Sequence, residues 1–223
     1  MKLSVIIPAY NEINTIGEVL DRVRAVDIDK EIIVADDGST DGTLELLRAQ
    51  SDITLIESPS NAGKGASIRA ALEHVTGDIV LIQDADLEYD PNDYHKLIKP
   101  IVDDRADIVY GTRFAHGKPR MRLANYIANK VFAALATLLY RTKVTDEATC
   151  YKAFRTDIIK SIDLCANRFE FCPEVTARLL KRGYRYAEVP ISYEARTHAQ
   201  GKKITWVDGL ECIWTLIKYR FIG

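Results

Sequence analysis

The sequence predicts an α/β fold with a doubly wound, mostly parallel sheet and helices on both faces. Short apolar runs alternate along the first half of the chain with longer segments whose apolar residues recur at helical spacing. The run at residues 79–82 is apolar throughout, as expected for a strand that both faces of a parallel sheet bury. Strand and helix alternating at this spacing imply right-handed crossovers between parallel strands.

Five strands and four helices are predicted in the first half of the chain. The first helix can be capped by Asn14 or Thr15, and the fourth helix starts at Asp90 and Pro91, a favourable cap followed by a favourable first residue. The predicted strands are residues 3–7, 31–35, 53–56, 79–82 and 107–110, and the second and third helices are residues 43–49 and 65–75.

The second half is predicted to be mainly helical, with helices at 123–140, 169–183 and from about 206, and a strand at 186–191. The first of these helices carries an apolar stripe, for which packing on the sheet is favoured over contact with a membrane surface. The last helix has an aromatic and apolar face followed by cations, which suits either burial against the domain or an interfacial anchor. The stripe of the first helix comprises Ile127, Val131, Ala134, Leu135 and Leu138, and the face of the last comprises Trp206, Leu210, Ile213, Trp214 and Ile217.

The composition is typical of one globular domain spanning residues 1–223, with 47% hydrophobic and 28% charged residues. Four scattered cysteines without a CysXXCys pair indicate reduced thiols in an intracellular protein. No apolar run approaches the roughly 20 residues that span a bilayer. We therefore expect a cytoplasmic protein that is at most peripheral to a membrane.

The net charge is only −2, but the charges are unevenly distributed. Residues 1–104 hold 9 Lys and Arg against 21 Asp and Glu, a balance of −12, and residues 105–223 hold 21 against 11, a balance of +10. A metal ion suits the acidic half and phosphates suit the basic half, although the halves could also complement each other when packed. Nothing beyond the basic half supports nucleic-acid binding.

Acidic or polar residues follow three of the predicted parallel strands, at residues 10–12, 36–37 and 84–88. Because the carboxyl ends of parallel strands share one edge of the sheet, these residues are expected to converge on one ligand. Asp84 and Asp86 stand at i and i+2 of extended chain and can face the same site. Such carboxylates suit a divalent cation that completes its shell with water and substrate phosphates, although a solvated acidic loop is the alternative.

The first of these turns suits a nucleoside. Tyr10 offers a flat face to a base, and Glu12 or Asp36 can accept hydrogen bonds from a base or a ribose. Neither a GlyXGlyXXGly fingerprint after the first strand nor a P-loop occurs, which disfavours a dinucleotide site and a P-loop ATPase. Residues 61–65 are interpreted as a glycine-rich turn into a helix, with Lys64 near the ligand.

Five ordered motifs resemble family 2 glycosyltransferases of the GT-A fold, a Rossmann-like architecture. They are ValIleIleProAlaTyrAsnGlu at 5–12, ValAlaAspAspGlySerThrAspGlyThr at 34–43, AsnAlaGlyLysGly at 61–65, AspAlaAspLeuGlu at 84–88 and GlyThrArgPhe at 111–114. The later part is most similar to the dolichyl-phosphate mannose synthase branch, which uses polyprenyl phosphates. It departs from that branch at residues 149–155, ThrCysTyrLysAlaPheArg, where the branch has a SerGlyPheArg-like run.

The resemblance implies a nucleotide-sugar half, about residues 1–112, and an acceptor half, about 113–223. It implies Mg²⁺ or Mn²⁺ on Asp86 and Glu88, with Asp86 also catalytic. Because adjacent residues of a strand point to opposite sides, only one of Asp36 and Asp37 can face the site, and Asp37 is expected to cap the turn after the second strand. The nucleotide-sugar residues that it implies are Pro8, Tyr10, Glu12, Asp36, Asp84, Ala85 and Asp86.

On the acceptor side, Arg113 and Arg122 are candidates for gripping a phosphate, because guanidinium forks match phosphate oxygens. Arg120 is interpreted as solvated. The resemblance implies that Arg196 and Lys202 are catalytic residues on a loop closing over the diphosphate, and His198 is interpreted as a bystander. It further implies a polyprenyl phosphate acceptor, peripheral contact with the cytoplasmic face of a membrane, and room for a small membrane-anchoring subunit.

A clear general base is missing from the sequence, which suits a phosphate acceptor that is already ionised. The resemblance implies an inverting, metal-dependent transfer of a hexose from a GDP-mannose or UDP-glucose type of donor. Two alternatives stay open: transfer to a glycan or protein hydroxyl with Asp146 or Glu147 as base, and a catalytically silent nucleotide-sugar-binding subunit.

Overall fold

The computed structural model describes residues 1–115, 117–119, 121–195 and 206–222, except the side chain of Trp206. Strands β1 to β7 are Leu3–Ala9, Lys30–Asp36, Thr54–Glu57, Ile79–Ile82, Ile108–Thr112, Lys152–Arg155 and Tyr186–Pro190. Helices α1 to α8 are Ile16–Ala25, Thr43–Arg48, Lys64–Leu72, Tyr94–Val102, Leu123–Tyr140, Thr156–Lys160, Phe171–Lys181 and Trp206–Phe221. A 3-10 turn at Pro91–Asp93 precedes α4, and the Asp90 carboxylate caps it by accepting from the Asn92 amide.

All seven strands form one sheet in the order β3-β2-β1-β4-β6-β5-β7. Every neighbouring pair is parallel except the two pairs that β6 makes, with β4 and with β5. The predicted mostly parallel α/β sheet is therefore confirmed. Because β6 runs in the opposite direction, its first residue lies at the edge where β1, β2, β4 and β5 end.

Strand β6 was missed by the sequence analysis because a lysine interrupts its apolar pattern. Lys152 is fully buried. Its ammonium group donates to the carbonyl oxygens of Glu147 at 2.5 Å and Thr149 at 2.8 Å, and lies 3.9 Å from the centre of the Tyr110 ring. These contacts replace the water that a buried cation loses, which is why a lysine can occupy the middle of the sheet.

The opposite, amino-terminal edge of the parallel strands is joined by Glu31 at the start of β2. Its carboxylate accepts hydrogen bonds from Lys2 at 2.7 Å, from Ser4 at 2.5 Å and from Thr76 at 2.5 Å, and thus ties β2 to β1 and to the turn before β4. Burial alone would raise the pKa of Glu31, but these hydrogen bonds outweigh it and lower the pKa to about 2.

Helices α5, α7 and α8 pack against one another and form a second, smaller core, which Tyr186 of β7 also contacts. Helix α5 contributes Ala133, Ala136 and Tyr140 to its buried face. The predicted packing of the α5 stripe on the sheet is wrong, because Ile127, Val131 and Leu138 of that stripe are exposed and the alanine face is covered instead. Small side chains allow α5 to approach α7 and α8 closely.

The apolar face that the sequence identified on α8 is partly exposed, since Ile213 and Ile217 of that face are half-buried. Leu210 and Trp214 are 56% and 62% exposed, whereas Cys212 and Leu216 on the other side are buried. No helix among the described residues is both long and apolar enough to cross a membrane.

Glu174 on α7 is a fully buried carboxylate. Its carboxylate accepts from the amides of Cys165 at 3.0 Å and Ala166 at 2.7 Å, and pairs with Arg178 at 3.0 Å. The residue therefore fixes the loop between α6 and α7, which forms one wall of the cavity described next.

Candidate active site

A cavity of about 680 Å³ opens at the carboxyl ends of β1, β2 and β4. Its far side is formed by the loop before β6, the loop before α7, and residues of α5, α7 and α8. A volume of this size can enclose a ligand as large as a nucleotide sugar. The strand ends therefore converge on one cavity, as the sequence predicted.

The turn after β1 forms one end of the cavity, with Pro8, Tyr10 and Glu12 in its wall as predicted. Asn11 adopts a left-handed conformation with φ of 53°. Its amide donates to the Ser39 hydroxyl at 2.9 Å, and its side-chain oxygen accepts from the Thr40 amide at 2.8 Å. These bonds hold the β1 turn against the β2 turn.

Asp36 and Asp37 exchange the positions that the sequence analysis gave them. Asp36 is fully buried, does not line the cavity, and caps its own turn by accepting from the amides of Gly38 at 3.1 Å and Ser39 at 2.9 Å. Asp37 lines the cavity, and its two oxygens accept from the amides of Ala62 and Gly63 at 2.8 Å. The strand continues one residue beyond its predicted end. Asp37 is placed in the cavity wall by its bonds to the turn before α3, which is about 25 residues away in the chain.

The residues after β4 form the floor of the cavity. Asp84, Ala85, Asp86 and Glu88 all lie in its wall. The Asp86 carboxylate accepts from the Glu88 amide at 2.9 Å, and the Ala85 carbonyl accepts from the Thr15 hydroxyl at 2.9 Å. Each contact fixes the backbone that presents these carboxylates.

Lys64 at the start of α3 is paired with Asp84 across the cavity, and its ammonium lies 3.7 Å from the Cys150 sulfur. Burial alone would lower the pKa of Lys64, but Asp84 outweighs it and the pKa is raised well above its ordinary value. Lys64 thus stays charged beside Asp84.

Gly63 and Gly65 allow a second stretch of backbone to touch this turn. A Cβ on Gly63 would lie 2.4 Å from the Asn167 carbonyl oxygen, and one on Gly65 would lie 2.5 Å from that of Ala166. Gly63 also has a φ of 101°, which side chains disfavour. The glycines therefore bring the loop before α7 directly onto the turn before α3.

Arg113 lies in the cavity wall, but Asp146 already holds its guanidinium. Nε donates to Asp146 at 2.8 Å and Nη2 at 2.7 Å, and the Arg113 amide donates to the same carboxylate at 2.9 Å. The two side chains are only 7% and 0% exposed. Arg113 also stacks on Tyr193, with Cζ 5.0 Å from the ring centre.

Arg122 is not brought to the cavity. It is exposed at the amino-terminal end of α5. Arg120, Arg196, His198 and Lys202 lie outside the described residues.

Glu147 is a buried carboxylate in the cavity wall that accepts from the Thr176 hydroxyl at 3.1 Å. Burial raises the pKa of Glu147, and the nearby Lys152 reduces this effect without cancelling it. All four cysteines are free thiols, as predicted. Three of them, Cys150, Cys172 and Cys212, line the cavity, and burial raises the pKa of each, which makes them poor nucleophiles.

A family model described as "Glycosyl transferase family 2" matches residues 4–163. The chain belongs to this family. It is a glycosyltransferase, and its sheet and cavity are those of the GT-A fold. The family match covers the β1, β2 and β4 turns that form the cavity floor.

Two curated relatives carry names that include a polyprenyl phosphate. The chain is 31% identical over 194 residues to a dolichyl-phosphate hexose transferase of Haloferax volcanii, covering 87% of this chain and 83% of that protein. It is 30% identical over 212 residues to an undecaprenyl-phosphate 4-deoxy-4-formamido-L-arabinose transferase of Edwardsiella ictaluri, covering 90% of this chain but only 62% of that protein.

Among solved structures, the glucosyl-3-phosphoglycerate synthase of Mycobacterium tuberculosis matches all of this chain and 79% of its own, with a TM-score of 0.75 and 22% identity. That protein was crystallised with Mn²⁺, UDP and phosphoglyceric acid. At this identity the likeness supports the fold alone.

The carboxylates present fit a divalent cation that shares its shell with a substrate. Within the described part of the chain, no three His, Cys, Asp or Glu side chains converge closely enough to enclose a metal by themselves. Asp86 and Glu88 supply hard oxygen atoms, and Mg²⁺ and Mn²⁺ are commonly bound by one or two carboxylates together with phosphate oxygens.

Proposed function

We propose that this glycosyltransferase moves a hexose from a nucleoside-diphosphate sugar to a polyprenyl phosphate, with inversion at the anomeric carbon. The observation that carries the proposal is the cavity's continuity. It runs from the strand-end carboxylates to Phe132 of α5 and Cys212 of α8, and these two helices also carry the exposed apolar faces.

On the donor side, the β1 turn holds the nucleoside, and Asp86 and Glu88 hold Mg²⁺ or Mn²⁺. A bound divalent cation supplies stabilisation of the charge that develops on the leaving diphosphate. The Lys64–Asp84 pair fixes the floor beneath the diphosphate. Asp37 keeps the Ala62–Gly63 backbone in place, and is a better candidate than Asp36 for contact with the donor.

The acceptor end suits a lipid because its outer surface is apolar and basic. Leu123, Ile127 and Val131 of α5 are 61%, 53% and 47% exposed. Leu210 and Trp214 of α8 are also exposed. Exposed apolar side chains of this kind can enter the headgroup region of a bilayer. Cations on the same helices can attract anionic lipids; they are Arg122, Lys130, Lys218 and Arg220. We infer peripheral attachment at the cytoplasmic membrane face.

A phosphate acceptor is also consistent with the contacts of Asp146 and Glu147, the two candidate general bases. Asp146 is occupied by three hydrogen bonds from Arg113, and Glu147 is buried with a raised pKa. A hydroxyl acceptor needs a carboxylate that is free to take its proton, whereas a phosphate oxygen is already ionised. These contacts favour the phosphate acceptor over a glycan or protein hydroxyl.

The test is a product assay with the full chain. Purified protein is incubated with Mn²⁺, a panel of nucleotide sugars and a polyprenyl phosphate in anionic vesicles, and products are identified by mass. We expect one glycosyl phospholipid, no product with Asp86→Asn, and vesicle binding that weakens with salt, since screening acts within roughly 10 Å at about 0.1 M. Glycosylation of a free sugar hydroxyl in place of the lipid would overturn the acceptor assignment and leave the donor side intact.

A further inference from the structure

The cavity wall contains more acid than base among the residues that the structure describes. Its cationic side chains are Lys64, Arg113 and Arg168, and its carboxylates are Glu12, Asp37, Asp84, Asp86, Glu88, Glu147 and Asp208. Both substrates of the proposed reaction carry phosphate groups, so each cation in the wall is a candidate for binding one of them. Lys64 is paired with Asp84, and Arg113 is paired in two-pronged fashion with Asp146.

Arg168 differs from the other two cations in its exposure. Its side chain is 62% exposed, compared with 19% for Lys64 and 7% for Arg113. Its guanidinium faces Asp208, in the first turn of α8, with a nitrogen–oxygen distance of 3.5 Å. Only the arginine of this pair is solvated, because the Asp208 side chain is 4% exposed. The contact is long, and the solvated guanidinium can turn from Asp208 to a phosphate when the ligand's charge compensates for the contact that is lost.

The backbone that carries Arg168 is firmly placed. Glu170 accepts from the amides of Asn167 at 3.0 Å and Arg168 at 3.1 Å. The Asn167 carbonyl accepts from the Ala66 amide at 3.0 Å, and Arg69 donates to the Asn167 side chain at 2.7 Å. The loop is thus attached to the first turn of α3, next to Lys64.

The stem of Arg168 runs over Gly63. Its Cγ lies 3.0 Å from the position that a Cβ of Gly63 would occupy. Its guanidinium therefore stands between the turn that leads into Lys64 and the first turn of α8. This is the region where the donor end of the cavity meets the acceptor end.

We propose that Arg168 binds a substrate phosphate group at this junction, in place of its contact with Asp208. A guanidinium presents parallel N–H donors that match two phosphate oxygens, and a fixed backbone with an exposed head allows it to follow the ligand. The proposal rests on the proposed function for the identity of the substrates. The phosphate can belong to the nucleotide or to the lipid, and the experiment separates them.

The test compares Arg168→Ala and Arg168→Lys with wild type, and uses Arg182→Ala as the matched control. Arg182 is an exposed arginine at the other end of α7 that donates to Ser161 and does not line the cavity. Calorimetry measures binding of a nucleoside diphosphate with Mn²⁺ and of a short-chain polyprenyl phosphate. Kinetics then measures KM for each substrate.

We expect Arg168→Ala to weaken one of the two ligands about 10- to 100-fold, as the loss of a charge-assisted hydrogen bond does. The ligand whose binding is weakened is the one that carries the phosphate group bound by Arg168. Arg168→Lys should bind this ligand more tightly than Arg168→Ala but less tightly than wild type, because lysine keeps the positive charge and lacks the parallel N–H donors of the guanidinium. The unfolding temperature of each variant is measured as well, because Arg168→Ala takes a cation from the buried Asp208 whereas Arg168→Lys keeps one.

Affinities of Arg168→Ala within twofold of wild type for both ligands would overturn the proposal, and so would an equal loss in Arg182→Ala. Because binding is measured without turnover, these outcomes are distinct from failure of the proposed function. That failure would appear as a wild-type protein that makes no glycosyl phospholipid.

Discussion

Replacing Asp146 by Asn separates a structural carboxylate from a general base. Asp146 is fully buried, and Arg113 beside it is 7% exposed. Glu188 holds the backbone just before it by accepting from the Thr145 amide at 2.7 Å and the Thr145 hydroxyl at 2.6 Å. An asparagine keeps the shape and one acceptor oxygen but leaves the Arg113 cation without a counter-charge.

The expected cost follows from this burial. Removing one partner of a buried, hydrogen-bonded ion pair costs about 3 to 5 kcal/mol, because the remaining charge stays desolvated. The retained amide oxygen places Asp146→Asn near the lower figure, at about 3 kcal/mol. In the wild type, burial alone would lower the pKa of Arg113, but Asp146 outweighs it and raises the pKa well above its ordinary value. The variant loses this stabilisation but keeps the buried cation, because arginine is effectively always protonated in proteins.

Urea unfolding measures the change, and a double-mutant cycle with Arg113→Met isolates the pair. We expect Asp146→Asn alone to be strongly destabilising and the double variant to recover most of the loss. The lipid KM should rise and the shape of the pH–rate profile should not change. Wild-type stability together with a large fall in kcat and loss of the acidic limb of the profile would refute this reasoning, because it would make Asp146 the base.

Three further predictions concern the metal, the sheet and the cavity turn. Asp86→Asn should abolish transfer and Mn²⁺-dependent nucleotide binding and keep the circular dichroism of wild type; full turnover in EDTA would remove the metal role. Because folding lowers the pKa of Glu31 to about 2, its stabilising effect is present above pH 4.5 and is lost as the pH falls toward 2. Glu31→Gln should therefore cost roughly 1 to 2 kcal/mol at pH 7, allowing for solvent screening, and nothing near pH 2 in urea unfolding. Gly63→Ala should weaken nucleotide binding and lower the unfolding temperature by several degrees, since backbone lies 2.4 Å from the added carbon; unchanged binding would show that the loop before α7 is not needed there.

Some features of the site were readable from local sequence alone. Residues 79–82 form β4 with the predicted bounds, and the carboxylates that follow, Asp84, Asp86 and Glu88, lie in one cavity with Tyr10 and Glu12. This succeeded because parallel strands that alternate with helices must end at a common edge, so sequence order is enough to bring their turns together.

Other features required the assembled protein. Strand β6 lies between β4 and β5 although it is far from β4 in the chain, and its buried Lys152 is stabilised only by carbonyl groups and a ring that folding brings to it. The Arg113–Asp146 pair is likewise decided by a contact across 33 residues.

The sequence by itself determined the α/β class, the strand-end carboxylates and the family motifs, because these depend on periodicity and on residues close together in the chain. Only the tertiary structure decided which carboxylate of the Asp36–Asp37 pair faces the ligand and which faces of α5 and α8 stay uncovered. The position of Asp37 depends on its bonds to residues about 25 positions away in the chain. An amphipathic pattern cannot say whether a helix is covered by its sheet or by two other helices.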